Sequence, residues 1–272
     1  MFNVEISTSA AGMSQLAVVK KYFGVSVCVV FLSIQAMSQP VDQIRPAMRL
    51  ETVNIKGGMG VSVVWNPGVK TYYAAISGTG DKWLLVYNQE GKPMKNPYSL
   101  PFDPGSLWLD GSGKSLKSYA SGMEGLYEIH LREGIPAYFE NVFYALHNPV
   151  AIGNGAWVSR RKELWYYHDK TIYRYKTRHA HHRSPLNLNI EDFENELNAM
   201  GVVYTGIKNR EIGLYDRAQH RILLYNIKNG RCNRVLQILD EAGPRPLCGD
   251  FAFSNGYYWL YNRETGVWHG YR

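Results

Sequence analysis

The chain has 272 residues and a formal charge of +7, with 45% hydrophobic and 19% charged residues. That balance excludes a wholly disordered chain and leaves ample side chain for a core. The 20 Tyr and 7 Trp far outnumber the 9 Phe, a bias toward residues that suit half-buried pleated surfaces, and hence strands. The Lys and Arg residues are scattered through turns and strand faces, with no basic helix. The excess charge therefore reads as a solvated basic surface and not as a nucleic-acid footprint.

Lys20 and Lys21 precede a 13-residue apolar run, Tyr22 to Ile34. A helical membrane span needs about 20 residues, so this run is too short. A positive start, a short apolar stretch and the small residues Ala36 and Ser38 fit a secretory signal peptide. The expectation is cleavage after Ser38, with Met1 or Met13 as the start, and export to the periplasm, cell surface or medium. An uncleaved N-terminal anchor is the competing reading. Cys28 lies inside the apolar run with no other Cys near the cleavage point, which argues against a lipoprotein. Residues 39–49 read as a linker and 50–272 as one domain.

Within that domain a small-residue start followed by a short apolar strand recurs every 45 to 50 residues. The copies are Gly60 to Trp65, Gly105 to Asp110, Gly155 to Arg160, Gly201 to Gly206 and Gly249 to Ser254. Two strand-like runs follow each start. They are Thr71 to Ile76 and Trp83 to Tyr87, then Ser115 to Ala120 and Leu126 to His130. Next come Glu163 to Tyr167 and Thr171 to Tyr175, then Glu211 to Tyr215 and Arg221 to Tyr225. The last pair is Tyr257 to Tyr261 and Gly266 to Tyr271. Glycine-bearing reversals such as Gln89-Glu90-Gly91 and Asn229-Gly230 separate strands by supplying positive φ. Fainter fourth strands are expected at Lys92 to Met94, Ile135 to Phe139, Leu186 to Ile190 and Arg234 to Ile238. The fifth repeat has none, and Leu50 to Ile55 is the expected strand that closes the ring on it.

Four strands at a period near 47 make a propeller blade. The pattern resembles exported bacterial β-propeller repeat proteins, with Trp65-Asn66-Pro67 followed by Tyr72-Tyr73-Ala74-Ala75 resembling their blade hairpins. The repeat lacks the Trp-Asp and Gly-His marks of WD40 blades and the double glycine of kelch blades. The implied fold is all-β, a single propeller of about five four-stranded blades. Such a fold names no chemistry by itself.

In a propeller the first strand of each blade lines a central channel, and the glycine starts are expected to let the backbones approach there. Links from an outer strand to the next inner strand gather at one mouth. Here they are Lys95 to Pro104, Asn141 to Asn154, Asn189 to Met200 and Leu239 to Cys248, with the short stretch Lys56 to Met59. Phe102, His147, Asn148 and Asp240 are the candidate ligand-binding residues on them. Asp103, Asp110 and Asp250 are the candidate carboxylates, because glycoside hydrolysis needs two carboxyl groups about 5–10 Å apart. The same aspartates also suit turn caps. The favoured function is a binding module for a protein or glycan; the alternative is a carbohydrate-active hydrolase.

Neither a cofactor nor a metal is expected. His179-Ala180-His181-His182 reads as a basic surface turn, and Glu191 to Leu197 as a short helical insertion that fits no calcium loop. Gly111-Ser112-Gly113-Lys114-Ser115 joins two strands and reads as a hairpin turn, not a phosphate loop. Cys232 and Cys248 fall at opposite ends of an expected strand, roughly 20 Å apart at 3.3 Å per residue, so two unbridged, mostly buried thiols are expected. The processed chain reads as a monomer without a membrane span or a nucleic-acid partner.

Overall fold

A computed structural model describes residues 41–51, 58–78, 80, 82–120, 125–143, 155–168, 170–177, 182–188, 201–207, 210–245 and 250–272. These belong to the compact unit Val41–Arg272. Two short strands come first, β1 (Val41–Ile44) and β2 (Pro46–Leu50). Blade 1 is β3 (Met59–Asn66), β4 (Thr71–Ser77), β5 (Trp83–Tyr87) and β6 (Tyr98–Ser99). Blade 2 is β7 (Trp108–Leu109), β8 (Ser115–Tyr119), β9 (Leu126–Arg132) and β10 (Ile135–Phe143). Blade 3 is β11 (Ala156–Val158), β12 (Glu163–His168), β13 (Thr171–Lys176) and β14 (His182–Asn187). Blade 4 is β15 (Val202–Tyr204), β16 (Glu211–Asp216), β17 (Arg221–Asn226) and β18 (Cys232–Ile238). Blade 5 is β19 (Phe251–Ser254), β20 (Tyr257–Asn262) and β21 (Val267–Tyr271), completed by β2. The chain is a five-bladed β-propeller.

Side chains alternate across a strand, so a blade buried on both sides must be apolar at successive positions. That is why the middle strands read as continuous apolar runs. In β4, Tyr72, Ala74 and Ile76 enter the layer shared with blade 5, whereas Tyr73 and Ala75 enter the layer shared with blade 2. In β17, Leu223 and Tyr225 face blade 3, while Ile222 and Leu224 face blade 5. A fifth layer, with Trp108 and Tyr119 against Leu164 and Tyr166, joins blades 2 and 3. Each fully buried large apolar side chain is worth about 1.5–3 kcal/mol, which makes these layers the main source of stability.

The ring closes on an earlier segment than Leu50 to Ile55. β2 runs antiparallel to β21, with Pro46 opposite Tyr271 and Leu50 opposite Trp268. Leu50, fully buried, is the position the two readings share, and residues 52–57 lie outside the described residues. β1 adds an unanticipated fifth strand to blade 4, parallel to β18. Of the segment 39–49 read as a linker, residues 41–44 and 46–49 are thus sheet. Between β1 and β2, Arg45 and Arg272 exchange backbone hydrogen bonds of 3.2 and 3.1 Å. The outer strand of blade 1 is Tyr98–Ser99, not Lys92 to Met94; Pro93, which has no N–H, makes a single bridge to Tyr87. β14 starts at His182, earlier than the expected Leu186.

The glycine starts make room for rings more than for backbone. A Cβ on Gly60 would stand 2.5 Å from Trp268 and 2.6 Å from Tyr261, and one on Gly155 2.7 Å from Tyr166. Among the described residues no helix is long and apolar enough to cross a membrane.

Candidate functional site: the axial channel

The innermost strands β3, β7, β11, β15 and β19 each form one edge of their sheet. Together they surround a channel of about 370 Å³. An edge strand leaves backbone donors and acceptors without ladder partners, so the wall offers main-chain hydrogen bonds as well as side chains. The partly exposed aromatics Trp65, Trp157, Tyr204 and Phe253 line it, with hydroxyl and amide groups from Ser62, Ser159, Thr205, Ser254 and Asn255. Trp157 is held by stacking on Trp108, ring centroids 4.9 Å apart and planes 18° apart. Trp65 leans on Tyr72 at 4.4 Å. Most of the aromatic and polar groups stand toward the C-terminal ends of the inner strands, where the chain turns into the second strand of each blade. No Asp, Glu, His, Lys or Arg among the described residues lines the channel.

The three candidate carboxylates do not share an end. Asp103 and Asp250 precede inner strands, whereas Asp110 follows β7 in the turn to β8. β7 runs between the two ends, which places Asp110 opposite the others. Its carboxylate accepts the Ser112 hydroxyl at 2.6 Å and the backbone N–H groups of Lys114 and Ser115 at 3.1 and 3.2 Å. Partial burial raises its pKa, but these hydrogen bonds outweigh that and hold it below the ordinary value. Asp110 is a turn cap.

Asp103 accepts the Ser77 hydroxyl at the end of β4. Asp250, fully buried, accepts the Gly60 N–H of blade 1 at 2.7 Å and Arg263 Nε at 2.5 Å. It therefore ties the last blade to the first. Burial pushes its carboxyl up to about 7, against the attraction and hydrogen bond of Arg263 and the Gly60 N–H.

Asp240 accepts the Tyr271 hydroxyl at 2.9 Å, and its backbone carbonyl lies 3.1 Å from His220 Nε2. The Nδ1 of that histidine is 2.9 Å from the Tyr215 hydroxyl, so Asp240 belongs to a network packing blade 4 on blade 5. Burial and repulsion from Arg245 lower the His220 pKa. Phe102 is a core residue, not a surface ligand contact: it is fully buried and stacked on Tyr127 at 4.0 Å. Its backbone belongs to a link, but the ring fills the layer between blades 1 and 2.

His147, Asn148, Cys248, His179, Ala180, His181 and the stretch Glu191 to Leu197 lie outside the described residues. Cys232 is buried in β18, its thiol 3.5 Å from the Arg234 carbonyl. Among the described residues no three His, Cys, Asp or Glu gather in a way that could hold a metal.

The aromatics at the channel were missed as a site because Trp and Tyr count equally as strand and core residues. The usable signal was positional. Each repeat places an aromatic within five residues of its starting glycine, at Trp65, Trp108, Trp157, Tyr204 and Phe251.

No family model and no curated protein matches the sequence. Solved structures do match. A glutaminyl cyclase of Myxococcus xanthus superposes with a TM-score of 0.57 at 10% identity, covering 86% of this chain and 98% of that one. A chain of a nidogen/laminin complex gives a TM-score of 0.45 at 14% identity, covering 75% of this chain and 72% of its own. The first likeness agrees with the propeller fold described above and, at that identity, speaks to the fold alone.

Proposed function

We propose that the chain is a non-catalytic, exported binding module that takes a glycan into the hairpin end of its axial channel. The observation that carries this reading is the composition of the wall: partly exposed aromatic rings, hydroxyls and edge-strand backbone, with no Asp, Glu, His, Lys or Arg among the described residues. Aromatic faces pack on the C–H faces of sugar rings, and hydroxyl groups can both donate to and accept from sugar hydroxyls. The hydrolase alternative has less support. Its carboxylates are divided between the two ends, and Asp103 and Asp250 are occupied in contacts between strands and blades. Export rests on the pattern from Lys20 to Ser38.

The test is a glycan array probed with the purified protein, followed by calorimetric titration of the best binder. Trp65→Ala and Tyr204→Ala should each weaken binding about tenfold, the equivalent of about 1.4 kcal/mol. An array without a binder, or affinities that neither substitution changes, would overturn the assignment. Appearance of shortened oligosaccharides would overturn its non-catalytic part.

A further inference from the structure

The hairpins that follow the five inner strands ring the same end of the channel, and those of blades 1 to 4 are basic. Their described residues include Lys70, Lys114, Arg160, Arg161, Lys162 and Arg210, all exposed, against one carboxylate, the turn-bound Asp110. No ion pair joins any of these six cations to a carboxylate among the described residues. Three of them follow Ser159 of the channel wall directly, in the hairpin between β11 and β12.

From that hairpin the positive charge continues over blade 3. The sheet register sets Trp165 opposite Arg174, and Arg174 opposite Arg183. Like charges directly opposite on neighbouring strands repel. Arg161 and Arg174 both lie over the Trp165 ring, at 5.7 and 5.9 Å from its centroid. Among the described residues Glu163 is the one carboxylate serving this group. It lies 3.7 Å from Arg183 Nε and also accepts the Trp165 indole N–H at 3.0 Å. Arg183 thus pairs with that buried carboxylate and Arg174 is attracted to it, whereas Arg161 pairs with no carboxylate among the described residues.

We propose that the glycan is acidic, with uronate carboxylates held by the cations of blade 3 while its sugar rings stack in the channel mouth. This rests on the glycan-binding reading above. Guanidinium and carboxylate match as planar, charge-assisted pairs, which a neutral sugar cannot exploit. Of the cations named, five gather on blade 3 and Lys70, Lys114 and Arg210 stand singly on blades 1, 2 and 4, so the described residues form no continuous track. That arrangement favours an acidic oligosaccharide over a nucleic-acid backbone, which needs a basic groove along its length.

The experiment is calorimetric titration with hexagalacturonate, with its methyl ester, which keeps the sugar rings and removes the charge, and with a short single-stranded oligodeoxynucleotide. The acid should bind about tenfold or more tighter than the ester, and the gap should narrow as salt is raised. The triple variant Arg160→Ser, Arg161→Ser, Lys162→Ser should lose that gap while binding the ester as before. Its melting temperature, read alongside, should stay near that of the parent because these side chains are exposed.

Equal affinities for acid and ester, a gap that survives in the variant, or an oligodeoxynucleotide bound as tightly as the acid would each overturn the acidic assignment. If a neutral glycan from the array binds and neither uronate form does, the acidic assignment falls while the binding reading stands. If nothing on the array binds, both fall.

Discussion

Asp250 should make the ring less stable as pH rises. Its side chain is fully buried between the last blade and the first, and burial lifts its pKa from 3.8 to about 7, more than Arg263 and the Gly60 N–H can offset. In the unfolded chain the group titrates near its ordinary value of about 3.9. Between those two pKa values the folded state keeps a proton that the unfolded state has released. Linkage then requires stability to fall with rising pH across that window and to level off beyond either end. A difference of about three units, at 1.36 kcal/mol each, sets the size of the fall at about 4 kcal/mol.

The perturbation is Asp250→Asn, which keeps an acceptor for the Gly60 N–H and removes the titration. Urea unfolding followed by tryptophan fluorescence, from about pH 4 to about pH 8, gives the stability of both proteins. Subtracting the variant from the parent cancels the other titrating groups. The difference should decline with pH through that window. A flat difference would mean that the carboxylate is not perturbed, and a rising one that the Arg263 pair dominates burial; either refutes the reasoning.

Other outcomes follow from the packing. Gly60→Ala puts a methyl group 2.5 Å from Trp268 and 2.6 Å from Tyr261, and overpacking of this kind costs about 1–3 kcal/mol. Calorimetry should show a lower melting temperature, by roughly 2–4 °C per kcal/mol for a domain of this size. Gly111→Ala, with nothing within 4 Å of the new methyl, should leave the melt unchanged. Removing residues 41–50 takes away β1 and β2 and uncovers Trp268 and Tyr271, both fully buried; circular dichroism should show loss of the cooperative melt. Asp110→Ala should cost about 0.5–1.5 kcal/mol at neutral pH. Because the folded-state pKa of Asp110 is depressed, that cost should vanish as pH falls through it, checked by urea unfolding in acid.

Much of the architecture is legible in the residues because a blade is a local object. Alternating side chains and glycine turns mark the three inner strands of every repeat, and their period marks the blade count. The outer strands are fainter because they are short or half exposed. β6 has two residues, and in β1 only Ile44 of four is buried. Pairing of β1 and β2 with strands about 190 to 225 residues away leaves no trace in a local pattern.

The site divides the same way. The sequence by itself determined that an aromatic recurs within five residues of each starting glycine. Only the tertiary structure decided that Asp103 and Asp110, seven residues apart, sit at opposite ends of the channel, because β7 crosses between them. It likewise decided that Phe102 is core, that Arg174 joins Arg161 over Trp165, and that Arg183 stands opposite Arg174. Sheet register and the ring of blades set those neighbours, and both arise from contacts between segments distant in the chain.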